Sequence, residues 1–143
     1  MNCHISGQRA FIRLDKDEDI FAELEKLASD NNWQAASVAG IGAVKDLEIG
    51  VYYLDEKKYL KKSFPDLAEL LSLKGNLSLK DGKPFYHLHG VFCGHDYQCF
   101  GGHVFQIKVG VICELVVDFA PDLKIERQMN DEVGLAQWGF CPV

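Results

Sequence analysis

The spacing of apolar and polar positions changes several times along the chain, and each change marks an element. Ala10–Leu14 reads as a short apolar strand. Ile20, Phe21, Leu24, Leu27 and Ala28 then recur at i, i+3 and i+4, the stripe of a helix laid against a sheet. Asp15 or Asp17 is expected to cap its free N–H groups, the acidic run Asp15–Asp19 suits the positive end of its dipole, and Asn31-Asn32 ends it. Asp46–Leu54 reads as a strand, and Lys57–Lys62 as a polar edge strand broken at Phe64-Pro65. Leu67–Leu73 fits a helical turn or a strand equally well. Asp81-Gly82, set between apolar runs, signals a hairpin. Val109–Ala120 has the pattern of a central strand, with Val109, Val111, Cys113, Leu115, Val117 and Phe119 on one face and Ile112 and Val116 on the other. Leu123, Ile125 and Arg127 share a face, and Asn130–Gln137 reads as a short helical piece. The sum is one α/β (α+β) domain over residues 9–137, a mostly antiparallel sheet of about seven strands with one long and one short helix. Residues 1–8 are expected to be an untied leader and residues 138–143 a tail.

Residues 83–103, KPFYHLHGVFCGHDYQCFGGH, hold four of the five histidines. Side chains alternate along a strand, so His87 and His89 point the same way, about 6–7 Å apart, near enough to share a metal ion. His103, at the far end of the hairpin, is the candidate third ligand, which would leave a fourth position open to water or substrate. The register decides this. Pairing His103 with His89 also sets Cys93 opposite Cys99 and leaves Gly94–Gln98 as the loop, whereas a slip of one residue sends His103 to the other face. Gly101-Gly102 offers a bulge that could absorb such a slip. Cys93, four residues past His89, lies about 13 Å along the strand and should not join the ion. His95, in a Gly-His-Asp turn, reads as a loop residue.

Gln34–Val44 is rich in small residues and contains Gly40-Ile41-Gly42. A dinucleotide site would need GxGxxG opening a helix, but a strand follows here. Gly40 and Gly42 are therefore expected to permit a bend and a close backbone approach, at the wall of a pocket. Glu114 stands mid-strand, where an unpaired buried carboxylate would be costly, so its face is expected to reach water, a cation or a partner subunit.

Composition narrows the function. Nearly half of the 143 residues are hydrophobic and a quarter charged, enough for a core without disulfides. Fifteen basic against twenty-one acidic residues give a net charge of -6, a poor match to a DNA backbone; Lys57, Lys58, Lys61 and Lys62 read as a solvated strand and turn. The five cysteines are odd in number with no CxxC, no apolar signal precedes Arg9, and no apolar run is long enough to cross a membrane. A cytoplasmic protein with free thiols and no membrane contact is expected.

Gly40-Ile41-Gly42-Ala43-Val44, Ile49-Gly50-Val51-Tyr52, Glu69-Leu70-Leu71-Ser72-Leu73-Lys74-Gly75-Asn76, Asp81-Gly82-Lys83-Pro84, His87-Leu88-His89 and Gly101-Gly102-His103 occur in an order and spacing that resembles the PPC (plant and prokaryote conserved) domain. The resemblance runs from about Arg9 to Gln137. It implies an antiparallel sheet with flanking helices, a homotrimer, and a pocket near a subunit interface. The implied fold is similar to that of acetolactate decarboxylase and a zinc-dependent ester hydrolase, in which an H-x-H pair and a later histidine hold zinc. Carried over, His87, His89 and His103 would be the metal ligands and Glu69 an acidic neighbour of the pocket. Plant members carry basic AT hooks; this chain has none, which sets the family's DNA-binding label against its acidic charge.

Two functions follow. One is a homotrimeric binding or regulatory module contacting protein partners or, in second place, DNA, its histidines structural or holding Zn or another divalent transition metal. The alternative is a zinc-dependent enzyme, a hydrolase or lyase acting on a small carbonyl or carboxylate substrate. There the ion would polarise a carbonyl or activate water, Glu69 or Glu114 would serve as acid or base, and Arg127 or Lys83 would hold an anionic substrate.

Overall fold

In the computed structural model, which describes residues 1–139, nine strands and one helix follow each other along the chain. They are β1 (Asn2–Ser6), β2 (Arg9–Asp15), α1 (Ile20–Asp30), β3 (Ala36–Tyr53), β4 (Lys58–Phe64), β5 (Ala68–Lys80), β6 (Lys83–Cys93), β7 (Cys99–Phe119), β8 (Glu126–Asn130) and β9 (Leu135–Gly139). All belong to one sheet, in the order β1-β2-β7-β3-β5-β8-β9, with β4 on β3 and β6 joining both β5 and β7. The pairs β3–β5, β5–β6, β6–β7 and β7–β3 thus close a ring. Pairing is antiparallel except where β8 meets β5 at Leu79 and Glu126.

The α+β class stands, with particular differences. Residues 2–6 are no loose leader; they pair along β2 from Asn2↔Arg13 to Ser6↔Arg9. Leu67–Leu73 resolves as strand, because Ala68, Leu70 and Leu73 bury into the core around the bulge at Leu70/Ser72. The expected second helix at Asn130–Gln137 is a turn between β8 and β9: Asn130 Oδ1 accepts from the backbone N–H of Glu132 and Val133, and the N–H of Gly134 donates to the Asn130 carbonyl. Of the expected tail, Trp138 and Gly139 belong to β9, and the remainder lies outside the described residues.

The stripe on α1 packs as expected, with Ile20, Leu24, Leu27 and Ala28 buried. Its cap is Asp19 rather than Asp15 or Asp17; Asp19 accepts from Ala22 N–H at 3.0 Å. Asp17 is instead drawn into an ion pair with Lys45. One face of the sheet, with α1, forms the core, including Ile12, Leu14, Val38, Leu77, Leu88, Phe92, Leu115 and Val117. The other face is open. On β7, Val109 and Cys113 are buried but Val111 is 56% exposed; it lies where the register with β3 shifts between Gly42↔Cys113 and Val44↔Val109, which breaks the alternation of faces.

Gly40 and Gly42 do serve close approach. A Cβ at Gly40 would stand 2.1 Å from Leu115 Cδ2, and one at Gly42, where φ is +152°, would stand 2.4 Å from the Ile112 carbonyl oxygen. Gly40 borders an open hollow of about 720 Å³ on the outer face, together with Phe11, Ile41 and Glu114.

Candidate metal centre

The site is assembled by one hairpin and its register. β6 and β7 pair His89↔His103, Gly90↔Gly102, Val91↔Gly101 and Cys93↔Cys99, the register under which three histidines share a face. No bulge interrupts this hairpin. The paired glycines have a different use: a Cβ at Gly101 would stand 2.5 Å from the Gly90 carbonyl oxygen, and one at Gly102 would stand 2.8 Å from that of Gly50. They let β7 lie close to β6 and β3 at once, one residue before His103.

His87, His89 and His103 each offer a ring nitrogen, and these atoms lie within 4.8 Å of one another. The Nε2 atoms of His87 and His89 are 3.1 Å apart. The ring of His103 sits 4.9 Å from that of His87 and 5.3 Å from that of His89. Tyr59 and Phe105 wall the far side, their centroids 4.9 Å and 4.6 Å from His103. His89 is exposed while the other two are half-buried, so the cluster opens to solvent on one side.

Burial lowers the pKa of both His87 and His103 to about 4. The Arg127 charge adds to this at His87, and the neighbouring histidines add to it at His103. Both rings are neutral at pH 7, the form that ligates a metal. His103 Nδ1 is buried with no hydrogen-bond partner, an uncompensated polar atom. Three neutral imidazoles converging on one point, one with an orphaned nitrogen, fit a divalent transition metal.

The remaining candidates are spread out. Glu69 pairs with Cys93, four residues along β6 from His89, or about 13 Å. Lys83, at the start of β6, is as far from His87 in the other direction. Gly40 and Gly42 lie in β3 opposite Leu73 and Leu70. Glu114 is exposed, paired across β2 with Arg13 and across β3 with Ile41. His95 lies in the exposed loop after β6. Arg127 does reach the cluster, through Asn76: its Nη2 donates to Asn76 Oδ1 at 3.0 Å, and Asn76 is paired with His87.

Three neighbours escaped the sequence reading. Asn76 and Lys74 stand opposite His87 and His89. Counting back from the Asp81-Gly82 turn, with Lys80 opposite Lys83, would have found both. Tyr59 comes from β4 by way of β3, and no local signal announces it.

Residues 1–119 match the model of the Plants and Prokaryotes Conserved (PCC) domain. No curated protein matches the chain. Among solved structures, a metal-containing protein from Archaeoglobus fulgidus is 34% identical, with TM-score 0.85 and 94% of each chain covered. A plant- and prokaryote-conserved protein from Pyrococcus horikoshii is 30% identical, with TM-score 0.85, over 96% of this chain and 94% of that one. A provisionally named DNA-binding protein from Bacteroides thetaiotaomicron has TM-score 0.91 at 24% identity, over 97% of this chain and 96% of that one. The fold likeness extends to Bacillus subtilis α-acetolactate decarboxylase, at TM-score 0.56 and 18% identity, over 89% of this chain and 58% of that one. With the family model spanning most of the chain and its relatives superposing end to end, this protein belongs to the Plants and Prokaryotes Conserved domain family.

Proposed function

We propose that this chain is a metal-binding PCC module in which His87, His89 and His103 hold one divalent ion, with zinc the first choice. The observation that carries the reading is the convergence of three imidazoles, one of which, His103, also has a buried, unpartnered Nδ1. The metal-containing Archaeoglobus relative supports it. The ligand type favours zinc, although imidazole donors also admit Ni, Fe or Cu.

The module works as a homotrimer that contacts protein partners. Support comes from the open face of the sheet, where Phe11, Ile41 and Val91 are 48%, 56% and 44% exposed. Pairing runs from His89 through Lys74, Ala39 and Val116 to Phe11, so this apolar patch lies on the same face as the histidines. DNA is a poor partner for a chain of net charge -6. A cytoplasmic setting is in keeping with free thiols at Cys3, Cys93, Cys99 and Cys113; Cys141 lies outside the described residues. Among the described residues no helix is long and apolar enough to cross a membrane.

The exposure of His89 favours a second reading, a zinc-dependent hydrolase or lyase, since an ion there would be open to a substrate. When bound, it would supply Lewis-acid polarisation of a carbonyl or an activated water.

Metal analysis of purified protein tests the first reading. About one ion per chain is expected, falling to background in His89→Ala and His103→Ala. Less than about a tenth of an ion per chain, unchanged in the variants, would sink it. Loss of all DNA binding at low salt in a gel-shift series would retire the DNA label.

A further inference from the structure

Arg127, Lys74 and Lys61 stand around the three histidines, and the first of these cations is built in. Arg127 comes from β8, beyond the residues that the family model matches. Its Nε donates to Ser78 Oγ at 2.8 Å, its Nη1 to the Ala136 carbonyl at 2.8 Å, and its Nη2 to Asn76 Oδ1 at 3.0 Å. Ser78 is fully buried, the guanidinium rests over the Phe85 ring at 4.9 Å, and Trp138 Nε1 donates to the same Asn76 oxygen at 3.2 Å. The fork is held from three sides.

What holds it is neutral. All three acceptors are uncharged, and no carboxylate pairs with Arg127 among the described residues. A half-buried guanidinium ordinarily finds a counter-ion, because its own desolvation is otherwise uncompensated. Three of its five N–H donors are used, one of them on each terminal nitrogen, which leaves one more N–H on each. Asn76, which accepts from Nη2, is paired with His87, so the guanidinium stands beside the cluster.

The other charges do not balance it. Lys74 stands opposite His89 on the same face. Lys61, over the Phe105 ring, is paired with Glu48, so that carboxylate is already spent. Glu69 and Glu114 lie away from the cluster, as described above. A divalent ion on three neutral histidines would add two further positive charges; among the described residues no carboxylate joins the cluster, and Asp19 and Glu25 stand on the α1 side of the hollow beside His103.

Resting on the metal reading above, we infer that the centre is a receptor for a small oxyanion, a carboxylate first, with one end on the ion and its charge taken by the free N–H groups of Arg127. The guanidinium fork matches carboxylate and phosphate oxygens, and hydrogen bonds to a charged partner are the strong ones. Tyr59 and Phe105 pack on His103, and Phe85 lies under the guanidinium, so aromatic rings flank both ends of the site. The β8–β9 hairpin is then a functional part of the site rather than an appendage. Arg127 is its specificity residue, and Asn76 and Ser78 are positioning residues.

Cobalt(II) replacing the native ion makes the test spectroscopic and independent of turnover. Cobalt-loaded wild-type protein is titrated with acetate, pyruvate, inorganic phosphate and, as an uncharged isostere, acetamide. Acetate or pyruvate should perturb the visible cobalt bands saturably while acetamide does not; a response to phosphate as well identifies a general oxyanion site. In Arg127→Gln the affinity for the responding anion should fall about ten- to a hundredfold with cobalt stoichiometry retained, and Arg127→Lys should recover part of it. Acetamide and acetate acting alike in the wild-type protein, or no response to any anion with cobalt bound, overturns the inference while leaving the metal site intact. Equal anion affinity in Arg127→Gln does the same. Failure to bind cobalt at all overturns both. The wild-type comparison needs no variant, so a hairpin disturbed by substitution cannot mask the answer.

Discussion

At the scale of single residues the centre is governed by protonation. His87 and His103 titrate near 4 in the folded chain, against about 6.5 for a free imidazole, because burial penalises the charged ring first and neighbouring positive charge adds to it. Between these values the unfolded chain binds more protons than the folded one. The metal-free protein should therefore keep this contribution above about pH 6.5 and lose it as pH falls towards about 4. Melting temperatures of chelator-treated protein from pH 7 to 4 read this directly. The decline should be shallower in a His87→Asn/His103→Asn double variant, and an identical decline would show that these histidines are not its source. With metal bound the same protons compete for the lone pairs, so occupancy should drop over the same acidic range.

At the scale of elements, the β5–β6 and β6–β7 hairpins make opposite demands on glycine. Gly82 needs φ of +73° in its turn but has open space around it, whereas Gly101 and Gly102 are set by crowding. Gly82→Ala should cost about 1 kcal/mol of stability, the strain of a left-handed residue, and leave metal content unchanged. Gly102→Ala should cost about 1–3 kcal/mol and also lower metal content, because the new methyl meets the Gly50 carbonyl and pushes β7 from β3 beside His103. Denaturant melts paired with metal analysis separate the two cases. Full metal content in a destabilised Gly102→Ala would mean that the strand spacing there does not position the third ligand. α1 covers the core face with its apolar stripe, and its cap Asp19 with Phe21 and Glu25 also lines the hollow beside His103.

At the scale of the molecule, the histidines and the apolar patch share the open face of the sheet, so the proposed assembly and the proposed ligand site would draw on one surface. Ile41 is 56% exposed in the isolated chain, and replacing it should not disturb the core. Ile41→Lys is expected to convert a species of three times 16.1 kDa into one of 16.1 kDa by light scattering, with the melting profile of the dissociated chain intact. A wild-type mass equal to a single chain would remove the trimer and leave the patch to another partner.

The local code was sufficient for much of this. Alternation, the i, i+3, i+4 stripe and the Asp81-Gly82 turn determined α1, the antiparallel class and the β5–β6 hairpin, since each depends on neighbours a few residues apart. Parity along β6 put His87 and His89 on one face. The spacing from Cys93 to Cys99 allowed one register that brought His103 to them, and the hairpin adopts it. The rest required the tertiary structure. Leu67–Leu73 became a strand because a core lay beneath it, and residues 2–6 became β1 because β2 offered an unpaired edge. Glu69 and Arg127 looked equally eligible for the site in one dimension. A strand of fixed rise carries Glu69 about 13 Å from His89, while a hairpin near the end of the chain folds back and sets a guanidinium beside His87. Spacing in sequence measures distance only within an element; between elements the packing of the sheet decides it.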